Sequence, residues 1–235
     1  MRKGARSQHM GYVAVVTLVV VVGLALRLWG AYALRAGGDE RPGEFPSASL
    51  AARKMLDRAG AGQVSVRLSR QDRVASYDMD ARTIRLPEGV YHGRNIAAIA
   101  VACHECGHAE QQLEGNVMLC ARASATPVFS AVSQAWLPVL LVGLVLDVAA
   151  LRVAALVLLS LVLLFQFAVV PVELDASRRA VRFIESGGIG EGVSGAPLVQ
   201  ARSILRSLAL TYLSMAMLGV VDLPLRLAAR YVSWS

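Results

Sequence analysis

Apolar and polar positions fall into blocks along this chain of 235 residues. After a basic start (Arg2, Lys3, Arg6), Tyr12 to Trp29 is almost wholly Val, Leu, Ala and Gly, interrupted by Thr17 and Arg27. About 18 such residues cross a bilayer, with Arg27 snorkelling and Trp29 in the interface. The basic start and Ala31-Tyr32-Ala33 also resemble a cleaved signal peptide. The reach of the run to Trp29, and the later apolar blocks, favour a retained anchor. Gln134 to Val170 holds two more runs, Trp136–Leu146 and Val153–Val170, separated by Asp147 to Arg152. With Ser130 to Ser133 included the first can span, which predicts a helical hairpin turning near Asp147 and Arg152. Leu205 to Leu227, carrying Tyr212, Asp222 and Pro224, is a fourth block that is expected to span.

The segment between the first two blocks reads as a small soluble fold. Pro46-Ser47 opens a helix with Leu50, Met55 and Leu56 on one stripe, and Gly60 closes it. Val64–Leu68, Arg73–Tyr77 and Thr83–Leu86 read as short strands, the last two joined by a turn at Asp78 to Ala81. Pro87-Glu88-Gly89 breaks the pattern, and a long helix starts near Asn95. The fold class predicted is a mainly helical α+β membrane protein with a small antiparallel sheet and about four membrane helices. Its divisions are a tail and anchor at 1–34, a core at 35–129, a membrane hairpin at 130–170, a polar helix and Gly-rich loop at 171–204, and a last membrane helix at 205–235.

Composition narrows the partners. At 55% apolar the chain exceeds the soluble range. The net charge of +7 is carried by arginine, Lys3 and Lys54 being the only lysines. The arginines are scattered at the edges of apolar blocks without an aromatic–basic motif, so anionic lipid headgroups fit better than nucleic acid, which is excluded. Three cysteines give no disulfide framework. Cys103 and Cys106 read as small packing residues of a helix rather than as a redox pair. The Gly187–Gly192 loop lacks the Lys-Ser/Thr of a phosphate loop.

The chemistry lies in His104-Glu105-Cys106-Gly107-His108. The two histidines, four apart on a helix, lie on one face and can share a Zn²⁺. Glu105 reaches the same face without being a ligand, as a general base must. Imidazoles and a carboxylate buried among small apolar residues would be costly without a cation. A catalytic zinc needs a third protein ligand and an open position. His9 and His92 are poorly placed. Pro171 to Ala180, directly after the third apolar run, supplies Glu173 and Asp175, which on one helix cannot face the same point. The motif helix follows one crossing and Glu173 follows three, so both lie on one side of the bilayer. Glu173 is the expected third ligand.

These segments resemble the YugP-like neutral zinc metallopeptidases of bacterial membranes. The resemblance is carried by Tyr77-Asp78, Arg85–Tyr91, Ile96–Ala109, Pro171–Ala180 and Ala209–Tyr212. It implies a multi-pass zinc peptidase of the bacterial inner membrane, gluzincin-like and distantly similar to the HtpX-type peptidases, with an uncleaved first anchor and protein or peptide substrates at the membrane surface. Those peptidases carry an Asp four residues after the ligand glutamate; here Ser177 stands there. Glu105 is the expected base, with Tyr212, Arg178 or Tyr91 steadying the oxyanion, and an exposed edge strand could hold an extended peptide. Two rivals stay open. One is a site-2-type intramembrane protease using Asp147 or Asp222, disfavoured by the polar Glu110–Glu114 stretch. The other is a non-catalytic zinc protein using Cys103 or Cys106. Arginines near the membrane lean towards a cytoplasmic site, and the basic N-terminus argues the reverse.

Overall fold

Helix α1 (Arg2–Gly38) opens the chain. The computed structural model describes residues 2–38, 45–72, 74–190, 195–210 and 214. Helix α2 (Ala48–Arg58) follows, its first turn capped by Ser47, whose hydroxyl accepts the Leu50 N–H at 3.3 Å. Its buried stripe is Ala48, Ala51, Ala52, Met55 and Leu56. Leu50, expected on that stripe, is 48% exposed. The small alanines at three- and four-residue spacing let α2 approach its neighbour closely, a role Leu50 would obstruct.

Strands β1 (Ser65–Ser69), β2 (Ser76–Asp78) and β3 (Thr83–Pro87) form one sheet in the order β1-β3-β2. An antiparallel sheet was the expectation. The sheet is mixed, because β3 pairs antiparallel with β2 and parallel with β1. Burial explains the order. β3 holds Ile84 and Leu86, both fully buried, and takes the centre, while the half-buried β1 and β2 take the edges. The tight turn sets β3 antiparallel to β2, and β1 lies parallel along its other edge.

After the single turn of α3 (Glu88–Tyr91), α4 (Ile96–Leu113) starts at Asn95, whose side chain accepts the Ala98 N–H at 2.8 Å. Helices α5 (Val117–Val145) and α6 (Ala149–Glu185) complete the named elements, and 196–210 is also helical. Among the described residues three helices are long and apolar enough to cross a membrane: Thr17–Ala36 within α1, α5 and α6. About four were expected; most of the fourth block, with Tyr212 and Asp222, lies outside the described residues.

The chain divides into two compact units. In one, which includes 2–28 and 123–170, Trp136 and Leu140 of α5 pack with Ala155 and Leu159 of α6, and Phe129 stacks on Phe165 at 3.9 Å. The α5–α6 turn is carried by Asp147 at φ 55, a conformation that Asp tolerates, and its carboxylate pairs with Arg152 at 2.6 Å. The other unit, within 29–122 and 171–209, packs α2, α3, the sheet and α4 around small buried residues and holds the site.

Candidate metal centre

Helix α4 is buried along most of its length, including His104, Glu105 and His108. The polar end of α6 lies against it at Gly107. A Cβ on Gly107 would fall 2.6 Å from the Ala176 carbonyl oxygen. Only the missing side chain lets the two backbones meet there, three residues from Glu173. Glu173 thereby reaches both rings: its Oε2 is 3.1 Å from His104 Nε2 and 3.6 Å from His108 Nε2. These are the separations that neighbouring ligands of a tetrahedral zinc require, about 3.3 Å for bonds near 2.0–2.1 Å.

The hydrogen bonds behind the rings fix their tautomers. Ser177 gives its hydroxyl proton to the Leu205 carbonyl at 3.0 Å, so it accepts from His104 Nδ1 at 3.1 Å. Gln111 gives its amide protons to the Val172 carbonyl and to Asp175, each at 2.9 Å, so its carbonyl accepts from His108 Nδ1, also at 2.9 Å. Both rings carry their proton on Nδ1 and turn the Nε2 lone pair towards Glu173. Two lone pairs and a carboxylate thus converge, their ligand atoms all within 4.8 Å of one another. Glu173 is fully buried, and its Oε1 accepts no aligned hydrogen bond. His104 Nε2 and Glu173 Oε2 face one another as acceptors and repel, and a divalent cation is what such a donor set fits.

Asp175, the other carboxylate of the cluster, turns away. It is held by Gln111 and by Arg179, which also grips Glu114 with both terminal nitrogens at 2.6 Å. This clamp ties the end of α4 to α6 and fixes the rotation that aims Glu173 inward.

Burial pushes the Glu105 carboxyl up to about 7; the nearby Glu173 adds to the rise, while His104 and Arg122 oppose it. The Tyr77 backbone, on edge strand β2, also holds this carboxyl down, and the Tyr77 hydroxyl donates to Gln112. Arg122, which the sequence offered only as a membrane-edge arginine, places Nη2 2.6 Å from Glu173 Oε1 and Nη1 3.4 Å from His108 Nε2.

The remaining candidates are placed elsewhere. Arg178 is exposed on α6, on the wall of a separate cavity. Tyr91 lies against His92 on α3, and Tyr212 is outside the described residues. Cys106 hydrogen-bonds the Ala52 carbonyl at 3.5 Å, and both Cys103 and Cys106 are buried thiols whose burial raises their pKa. Ser177, Gln111 and Arg122 join the site by holding His104, His108 and Glu173. Ser177 had a signal, its place four residues after Glu173; the other two had none.

The fold and the cluster define a protein of membrane-length helices that gathers two histidines and a glutamate around a space suited to a metal. The chain belongs to the family described as "Putative neutral zinc metallopeptidase", whose model matches residues 12–230. It is 30% identical over 209 residues to "Putative membrane protease YugP" of Bacillus subtilis (strain 168), a match covering 87% of this chain and 92% of that one. No solved structure matches.

Ser177→Ala is expected to weaken zinc binding by about 10–100-fold, because His104 loses the acceptor that holds its ring and tautomer. Chelator competition measures this; an unchanged affinity would remove Ser177 from that role.

Proposed function

We propose that the protein is a zinc-dependent endopeptidase of the bacterial inner membrane, multi-pass, hydrolysing peptide bonds of protein substrates at the membrane surface. His104, His108 and Glu173 hold the zinc. When bound there, zinc supplies a Lewis acid that acidifies water and polarises a carbonyl. Glu105 takes a proton from the attacking water as its oxygen bonds to the scissile carbonyl carbon. It returns that proton to the amine as the C–N bond breaks. A peptide lying extended along the edge of β2 runs near Glu105, since the Tyr77 backbone is close enough to act on that carboxyl.

Arg122 fits the oxyanion role better than Arg178. His108 Nε2 has one lone pair, and a metal that takes it releases the Arg122 Nη1 proton for a developing negative charge. Two terminal nitrogens then divide the work: one stays on Glu173, one serves substrate.

The observation that carries this reading is Glu105, a buried carboxylate next to His104 on the same helix, beside the ligand trio but outside it. A purely structural zinc site has no use for such a base. The intramembrane rival draws no support from Asp147, which is engaged by Arg152 in the hairpin turn. The test is cleavage of an unfolded casein-type substrate by the protein in lipid nanodiscs. Activity is expected to vanish on chelation and return with one equivalent of zinc. Stoichiometric zinc with no cleavage of any unfolded substrate would favour the non-catalytic reading.

A further inference from the structure

Strand β2 is only three residues long, and within the sheet it pairs with β3, Tyr77 lying opposite Ile84 and Asp78 opposite Thr83. So short an edge strand has few ladder bonds with which to fix its distance from α4, against which it packs. A side chain of α4 supplies a tie. Gln112 Nε2 donates to the Met79 carbonyl at 3.2 Å, and Gln112 Oε1 accepts from the Tyr77 hydroxyl. Burial raises the Tyr77 phenol above its ordinary value, so it remains a donor at neutral pH. One amide thus answers both a donor and an acceptor of the strand and its turn.

The place of Gln112 on the helix gives the tie its meaning. Glu105 and Gln112 are seven residues apart, about two turns and about 10 Å along one face of α4. Both ends of that face meet β2. Glu105 feels the Tyr77 backbone, and Gln112 holds the Tyr77 hydroxyl and the Met79 carbonyl. The other polar side chains of this stretch are engaged elsewhere: Gln111 holds His108, while Glu110 and Glu114 pair with Arg179. The base and the tie therefore stand on one rigid rod, and the edge strand lies along both.

We propose that Gln112 is a positioning residue for substrate: through Tyr77 and Met79 it sets the β2 edge against Glu105, so that an extended peptide on that edge offers one particular bond to the base. This role rests on the peptidase reading and adds to it what selects the bond that is cut. Successive residues of an extended peptide stand about 3.4 Å apart. A displacement of about 1 Å at the reacting atoms costs up to about 10²-fold in rate, and a larger slip of the strand presents the next bond.

The test compares zinc-loaded wild type, Tyr77→Phe and Gln112→Ala in lipid nanodiscs on an unfolded casein-type substrate. The bonds cut are mapped by mass spectrometry at equal extents of cleavage. Both variants should keep the wild-type zinc affinity, since no ligand and no partner of a ligand is touched. Turnover should fall by about 10-fold or more, and bonds neighbouring the wild-type sites should enter the product map. Amide exchange should quicken across 76–79 and keep its wild-type rate from His104 to His108. A loss of folded protein lowers the rate but leaves the map as it was, so the map separates positioning from stability. An unchanged map in both variants, whatever their rates, would overturn the positioning role and leave the peptidase reading standing. Zinc-loaded wild type that cuts no unfolded substrate would overturn that reading, and the positioning role with it.

Discussion

Glu105→Gln is expected to keep zinc and to lose turnover by about 10²–10⁴-fold, the range for removal of a positioned general base. Glutamine preserves the shape of the side chain but cannot take a proton, and no ligand atom is touched. Metal content and cleavage rate, measured on the same preparation, check both halves. Zinc-dependent proteolysis surviving at the wild-type rate would exclude Glu105 from the chemistry.

The same substitution has a second expected effect, on stability. Burial holds the Glu105 carboxyl at about 7 in the folded chain, against an ordinary value of 4.5. A raised carboxyl binds its proton more tightly folded than unfolded. Its contribution is therefore complete below about pH 4.5 and is lost as pH rises through 7. Over that window it is on the order of 3 kcal/mol. In zinc-stripped protein, wild type should thus fall relative to Glu105→Gln between pH 5 and pH 8, and the variant should be the more stable at pH 8. Thermal midpoints of the two stripped proteins across that range measure it. Parallel curves would mean that the carboxyl is not held in a dry site.

Glu173→Ala has the largest expected effect on metal. Loss of an orienting partner costs about 10–100-fold in affinity. Loss of a ligand removes a bond and the only carboxylate of the trio, so binding should weaken by more than that range, and turnover should go with it. Arg122 loses its counter-ion, with its side chain only 17% exposed, so stability should fall as well. Zinc stoichiometry after dialysis against a weak chelator, together with the thermal midpoint, reads the two consequences separately. One equivalent of zinc retained at wild-type affinity would remove Glu173 from the ligand set and leave the hydrolase reading without a third ligand.

What the chain states locally and what it leaves to packing divide along physical lines. The histidine pair is local: four residues on a helix place two rings on one face whatever surrounds them. Membrane-length runs are local too, since about 20 consecutive apolar residues state their own solvent. So are the caps at Ser47 and Asn95, each a side chain answering an N–H three residues on.

The rest depends on partners distant in the sequence. Alternation along β1, β2 and β3 speaks of strands but not of their order, and the burial of Ile84 and Leu86 placed β3 at the centre. Pattern alone could not choose between Glu173 and Asp175 by geometry. The Arg179 clamp and the contact at Gly107 set the rotation of α6. Arg122 reads in the sequence as one membrane-edge arginine among many, because nothing local tells it that Glu173, 51 positions on, lies 2.6 Å away. By itself the sequence determined two imidazoles on one helical face, a carboxylate beside them and the solvent of each helix. Tertiary structure alone decided how Glu173 meets the two rings, which hydroxyl and amide hold them, and which arginine lies beside them. Those are contacts between chain segments brought together by packing, and no sequence periodicity encodes them.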